Sequence, residues 1–295
     1  MKATNTPPNT SNQFYTIVIP TLNEEKYLPL LLQDLASQTN QDFEVIVVDA
    51  HSEDKTVEEA EKFKNKIDLK IMSTEQRNVS VQRNLGGNAA RFPWIIFMDA
   101  DNRLPDYFLD GIRYQLARKK ETDLFTTLVK TEGKEPVDIA TQHILNVVLE
   151  VHSSTKRPQG FGAMIGCRKS LFNEHSFDTK TKYSEDSLFI QTCVAHKHTY
   201  TIFHQPRYVV SLRRLKKEGT LKTIRQMALI QLAFLQGKKH FDDDRYPMNG
   251  GGYYEKDNKS ILEQVQSFNG YLKKASKKQI QQVRKLLRLV TFDSD

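Results

Sequence analysis

The chain of 295 residues has two cysteines, one tryptophan and no apolar run approaching the roughly 20 residues that cross a bilayer. Cys167 and Cys193 are too few for a disulfide framework and have no histidine at a zinc-finger spacing, so both read as buried thiols. The segment Met1 to Gln13 is polar, with Pro7 and Pro8 where a secretory signal would be apolar. The expected location is therefore the cytoplasm. A G-x-x-x-x-G-K-[ST] stretch is missing, which disfavours a P-loop kinase or ATPase. Internal repeats and low-complexity tracts are also absent. What is present is a 38% hydrophobic content, enough for one or two packed domains and incompatible with global disorder.

The net charge of +7 is unevenly placed. Gln205 to Arg225 carries seven basic residues against Glu218 alone, and Tyr271 to Val290 has no acidic residue. Such faces attract a diphosphate, an anionic leaflet or a nucleic acid. Nucleic acid is disfavoured, because only Tyr208 interleaves with the first basic stretch. Near the C-terminus Ile280, Val283, Leu287 and Val290 share one helical face among lysines and arginines. That helix either packs on the rest of the chain or lies on an anionic membrane, which would place the protein at the inner face of the membrane.

Short apolar runs alternate with helical patterns through the first half, the sequence signature of an α/β sheet that is mostly parallel. Phe14 to Ile19, Phe43 to Val48 and Trp94 to Met98 read as strands buried on both faces, with weaker strands at Asp68 to Met72 and Asp123 to Leu128. Leu28, Leu31, Leu32 and Leu35 predict a helix opened near Pro29, and Thr56 with Glu59 has the spacing of a capping box. Further helices are predicted from Asn78 to Ala90, after Pro105, from Val137 to Val151 and after Glu185, with a glycine-bearing loop from Gln159 to Gly166. The Asn-Gly-Gly-Gly run after Met248 reads as a flexible joint.

In an open α/β sheet, ligands bind beyond the carboxyl ends of the strands. The three strong strands are followed by Pro20-Thr-Leu-Asn-Glu24, by Asp49 to Thr56, and by Asp99-Ala-Asp101, so three loops deliver carboxylates to one edge. Like charges gathered there call for a cation or a set of donors, and a hard divalent metal with oxygen ligands is the simplest candidate. Glu185 and Asp186 also suit the first turn of a helix capped by Ser184.

Pro20-Thr-Leu-Asn-Glu24, Val47-Val-Asp49 with Ser52 to Thr56, Gln82-Arg-Asn-Leu-Gly86, Phe97-Met-Asp-Ala-Asp101 and Glu185-Asp186 together resemble the ordered motifs of family 2 glycosyltransferases. The resemblance runs from about Phe14 to about Lys217. It implies a GT-A-type, Rossmann-like, mostly parallel sheet flanked by helices, here with a helical C-terminal appendage. The expected organisation is a flexible N-terminus over 1–13, a catalytic domain over 14–225 and a basic helical extension over 226–295. Within the catalytic domain, the nucleotide-binding half would span about 14–104 and the acceptor half about 105–225.

The resemblance also implies roles. Pro20, Thr21, Glu24, Asp49, Arg83 and Asp99 would hold the nucleotide, with Arg77 a second basic candidate, and Asp101 would ligate Mg²⁺ or Mn²⁺ on the diphosphate. Glu185 and Asp186 would be the catalytic carboxylates, Asp186 acting as the base in an inverting displacement. Phe161, Gly162, Arg213 and Arg214 would face the diphosphate or the acceptor. The chain lacks the Gln-x-x-Arg-Trp form of processive synthases, and its one tryptophan is Trp94. Single sugar additions are expected, from a nucleoside-diphosphate sugar to a glycan, a lipid-linked or cell-envelope glycan, or a small-molecule hydroxyl. The alternatives are a sugar-1-phosphate nucleotidyltransferase, disfavoured because Pro20-Thr-Leu-Asn-Glu24 has no glycine, and a non-catalytic nucleotide-sugar-binding relative.

Overall fold

Apolar residues at every position, rather than at alternate ones, bury a strand on both faces, and three segments have that composition. In a computed structural model of the chain, β1 (Tyr15–Thr21), β2 (Phe43–Asp49) and β4 (Trp94–Met98) are buried at every residue. The structure describes residues 15–133, 136–153, 158–160, 162–181 and 184–213. The expected N-terminal tail, the joint after Met248 and the basic C-terminal helix lie outside them. The chain divides into one unit of residues 1–211 with 240–253 and a second of 212–239 with 254–295; the sheet and its helices belong to the first.

Seven strands form one sheet. With β3 (Leu69–Ser73), β5 (Leu124–Thr131), β6 (Met164–Arg168) and β7 (Tyr200–Val210), the order is β3-β2-β1-β4-β6-β5-β7. All neighbours are parallel except β6, which runs antiparallel to both β4 and β5. The order reverses between β1 and β4, the kind of switch point beside which open α/β sheets bind ligands.

Helices cover both faces. On one, Leu28, Leu31, Leu32 and Leu35 of α1 (Leu28–Ala36), Ala60 of α2 (Thr56–Glu61) and Phe108, Leu109 and Ile112 of α4 (Phe108–Arg118) pack on Tyr15, Ile17, Ile19 and Val45. On the other, α3 (Val79–Ala89), α6 (Lys169–Glu174) and α7 (Glu185–Ala195) cover Val18, Ile46, Val48 and Phe97. Helix α5 (Pro136–Ser153) adds Leu145 to the first cluster.

Three expectations need correction. The stretch Gln159 to Gly166 is not wholly loop, because β6 begins at Met164 and lies between β4 and β5. The basic stretch beginning at Gln205 overlaps the end of an edge strand, β7, whose His204, Gln205 and Pro206 hide its period. Thr56 does not cap α2: the N-cap is Lys55, and the Thr56 hydroxyl instead accepts from the Glu24 amide at 2.7 Å.

Helix α3 lies unusually close to the sheet. A Cβ at Gly86 would stand 2.3 Å from Val18 Cγ1 and 3.2 Å from Val48 Cγ2. Both valines are fully buried and stiff at χ1, so neither yields cheaply. Gly86→Ala therefore costs about 1–3 kcal/mol through overpacking despite alanine's better helix propensity. Thermal unfolding should show a lower Tm; an unchanged or higher Tm would mean that α3 can back away from the sheet.

Candidate functional site

The loops after β1 and β2 are stitched together at the carboxyl edge. Asp49 accepts from Thr21 Oγ1 at 3.0 Å, from the Ser52 amide at 2.9 Å and from Ser52 Oγ at 2.5 Å. The Asn23 amide donates to Ser52 Oγ and the Glu53 amide to Asn23 Oδ1. Asn23 and His51 hold these turns with φ of 56° and 55°, in the left-handed region that non-glycine residues seldom adopt and that clusters at functional sites. Pro20, Thr21, Glu24 and Asp49 are all buried. The Asp49 carboxylate is thus turned into the loop junction, with 3% of the residue exposed, and little of it is left for a nucleoside.

Three consecutive residues of α3 then reach three different places. Gln82 Nε2 donates to the Thr21 and Val48 carbonyls at 2.8 and 2.7 Å, tying the helix to both loops. Asn84 exchanges two hydrogen bonds with the Phe177 backbone. Arg83, 2% exposed, points at the acids: Nη1 donates to Glu185 Oε1 at 2.8 Å, while Nη2 donates to Asp99 Oδ1 at 3.2 Å and to the Gly162 carbonyl at 2.9 Å. Phe177 lies under the guanidinium at 5.3 Å and is itself stacked on Phe189. Arg77, by contrast, is exposed and pairs with Glu53.

The first turn of α7 brings Glu185 and Asp186 onto this set. The Asp186 carboxylate accepts from the Ser187 amide at 2.6 Å and from the Gly162 amide. Gly162 therefore offers its N–H to Asp186 and its carbonyl to Arg83. A Cβ there would lie 2.9 Å from Arg83 Nη2 and 3.1 Å from Asp186 Oδ2, so the position needs glycine for close approach. Its loop is pinned further by Tyr200 Oη to Gln159 O and Ser187 Oγ to Gly160 O.

Burial pushes Asp186 up to about 7, with Glu185 adding and Arg83 opposing. Burial likewise pushes Asp99 up to about 6, against Arg83 and with Asp101 and Glu185, although 39% of its side chain reaches solvent. One guanidinium thus faces several carboxylates, and the surplus negative charge is relieved by protons. An all-oxygen donor set with surplus charge also suits a hard divalent cation, and Asp101 beside Asp99 is where one would fit.

Residues assigned distant roles in the sequence are therefore neighbours: Arg83, Asp99, Gly162, Glu185 and Asp186 form one set, and Asp101 acts electrostatically on it. Phe161 and Arg214 lie outside the described residues, and Arg213 falls in the second unit. Tyr208 of β7, which the sequence places only at the head of a basic segment, lies within electrostatic reach of the acids. It is fully buried, its hydroxyl has no hydrogen-bond partner, and its pKa is raised by burial and then by Asp99, Tyr200, Asp101 and Asp186. An irregular strand gave no period from which to read that it faces the acids.

The sequence profile of the family described as glycosyl transferase family 2 matches residues 16–176. A poly(ribitol-phosphate) beta-N-acetylglucosaminyltransferase of Staphylococcus aureus, TarP, is 25% identical over 222 residues, 70% of this chain and 65% of its own. A second, TarS, is 36% identical over 92 residues, 30% of this chain and 16% of its own. The chain thus spans just under two thirds of the first relative and a small part of the second. Among solved structures, a TarS fragment in complex with UDP superposes with a TM-score of 0.56 at 24% identity, over 68% of this chain and 60% of that one. A mannosyltransferase of Pyrobaculum calidifontis in complex with GDP-Man and Mn²⁺ gives 0.58 at 15% identity, over 98% and 84%. At these identities the two superpositions speak for the fold.

Removing the guanidinium leaves its acids unpaired, and Arg83→Met should cost about 3–5 kcal/mol. The loss should grow with pH. Asp99 and Asp186 have folded pKa values above 3.8, so their contribution is whole below about pH 4 and shrinks as they ionise towards 6 and 7. Without Arg83 that ionisation is uncompensated. Urea titrations of the metal-free protein should give a larger deficit at pH 8 than at pH 5; an equal deficit would mean that the cost is packing alone.

Proposed function

The chain belongs to glycosyl transferase family 2, and from that membership we propose that it transfers a sugar from a nucleoside-diphosphate donor to a hydroxyl acceptor with inversion at the anomeric carbon. The observation that carries this reading is the meeting of Asp99, at the end of β4, with Glu185 and Asp186, at the start of α7, around one buried arginine. Asp186, held there by two amides, suits the base of one direct displacement, while Glu185 and Asp99 are tied to Arg83 rather than poised as the nucleophile of a covalent route.

In this reading Asp186 accepts the proton of the attacking hydroxyl. A base with a pKa near 7 is matched to work at neutral pH, because about half of it is ionised there while it remains strongly basic for a carboxylate. Gly162 and Ser187 aim its carboxylate through their amides. Glu185, paired with Arg83, fixes the turn in which Asp186 sits and keeps the guanidinium charge beside it. Thr21, Glu24 and the loop junction around Asp49 line the nucleoside side, with the Asp49 carboxylate bracing that junction through Thr21 and Ser52.

Asp101, with Asp99 beside it, would hold Mg²⁺ or Mn²⁺. When bound, that ion supplies Lewis-acid stabilisation of the departing nucleoside diphosphate. The Tyr208 hydroxyl, a buried donor without an acceptor next to these acids, offers a hydrogen bond to a substrate oxygen. UDP-GlcNAc is the first donor to test, given the activity named for the relatives TarP and TarS, and GDP-Man is the second. Among the described residues no helix is long and apolar enough to cross a membrane.

A panel of UDP- and GDP-sugars with Mn²⁺, scored by thermal shift and donor hydrolysis, should yield one responding donor whose effect chelator abolishes. Asp186→Asn should keep donor binding, lose transfer by a factor of about 100 or more, and raise Tm at pH 8 by about 2–4 °C because a strained charge is removed. For the parent, kcat/KM should fall as pH drops below about 7, where Asp186 becomes protonated. Equal loss of binding and transfer in Asp186→Asn would remove it from the role of base.

Tyr208→Phe separates a functional hydroxyl from a structural one. Because that hydroxyl lacks a partner in the free protein, its removal should leave Tm unchanged or slightly raised while lowering kcat/KM about tenfold. A large fall in Tm with unaltered kinetics would make it a packing residue.

A further inference from the structure

The end of α7 away from the acids gathers three imidazoles. The helix closes in a Schellman turn: the Lys197 amide donates to Val194 O at 2.9 Å and the His198 amide to Cys193 O at 3.1 Å, with Lys197 at φ 72°. His196 and His198 thus flank the turn, and both rings meet His175, which follows α6. The His175 ring centroid lies 4.4 Å from that of His196 and 5.6 Å from that of His198. Glu174 Oε2 stands 3.7 Å from His198 Nε2. One ligand atom each from Glu174, His175 and His198 falls within 4.8 Å of the others.

The surroundings orient these rings as ligands. Behind His198, Nδ1 faces Asp123 Oδ2 at 3.7 Å, and that carboxylate is itself fixed by the Thr199 amide at 3.0 Å and by Arg168 Nε at 3.3 Å. At 3.7 Å the Asp123 carboxylate is an electrostatic neighbour of Nδ1 rather than its hydrogen-bond acceptor, and Nε2 is turned to Glu174. His196 Nδ1 lies 2.8 Å from Thr192 O, which can only accept, so that nitrogen carries the proton and the ring is held against His175. The negative end of the α7 dipole adds a small preference for a cation.

We propose that Glu174, His175 and His198 bind a divalent transition-metal ion of the zinc type, clamping the ends of α6 and α7 at the start of β5. Imidazole with carboxylate is a donor set for Zn²⁺, whereas the all-oxygen cleft suits Mg²⁺ or Mn²⁺, so the two places sort ions by ligand chemistry. They are separated by the length of α7, about 16 Å for eleven residues. The clamp fastens the far end of the helix whose first turn carries Glu185 and Asp186. It does not depend on the proposed transfer reaction.

The test uses tag-free, full-length protein stripped with chelator, titrated calorimetrically with Zn²⁺ and, separately, with Mg²⁺. One Zn²⁺ per chain and a Tm raised by several degrees are expected, with no response to Mg²⁺ at these residues. His175→Ala and His198→Gln should each abolish the zinc equivalent, and Asp123→Asn should weaken it by about 10–100-fold. Asp101→Asn should retain it, which separates this site from the cleft. Metal-free Tm values equal to the parent's show that the variants fold. The proposal is overturned if the parent takes up no Zn²⁺, or if a His175→Ala, His198→Gln double variant binds it as the parent does.

Discussion

A guanidinium taken out of water must be paired, and Arg83 is the one lysine or arginine buried among the described residues. Its partners come from separate parts of the chain: Asp99 directly follows β4, Glu185 begins α7, and the Gly162 carbonyl belongs to the loop before β6. Moving any one of these elements outward would strand a charge. The placing of the carboxylates is therefore a condition of the folded state, set before any ligand arrives.

Helix α3 turns that condition into geometry. Successive residues on a helix point about 100° apart, so Gln82, Arg83 and Asn84 cannot serve one neighbour. They serve three: the β1 and β2 loops, the acids, and the segment after α6. Gly86 and Gly87, one turn on, let the helix settle against Val18 and Phe172, close enough for those side chains to reach. The distances between the loops are thus inherited from a single rigid element packed on the sheet.

This logic explains which parts could be read from the sequence. Trp94 to Met98 was legible to the residue because uniform burial leaves uniform apolar composition, and Leu28 to Leu35 because one apolar stripe of α1 meets one face. Strand β7 was not legible, since an edge strand carrying His204, Gln205 and Pro206 has no clean alternation. At the site, residue types suggested carboxylates at the strand ends, but partners lie in three dimensions. Nothing in Val47-Val-Asp49 says that the carboxylate turns inward to Thr21 and Ser52, and nothing in Gln82-Arg-Asn84 says that the arginine meets Glu185, 102 positions later.

The acids outnumber their cation, and that excess is the site's working condition. With Asp99, Glu185 and Asp186 around one guanidinium, repulsion is relieved either by protons, which is why Asp99 and Asp186 are pushed up to about 6 and 7, or by a cation. Proton and cation therefore compete for the same surplus charge. On the proposed reading, any cation drawn to Asp101 also favours the ionised form of its neighbours, so filling the donor side and readying the base on the acceptor side become one electrostatic event. On that reading the surplus charge lowers stability in the free protein and couples the donor side to the acceptor side.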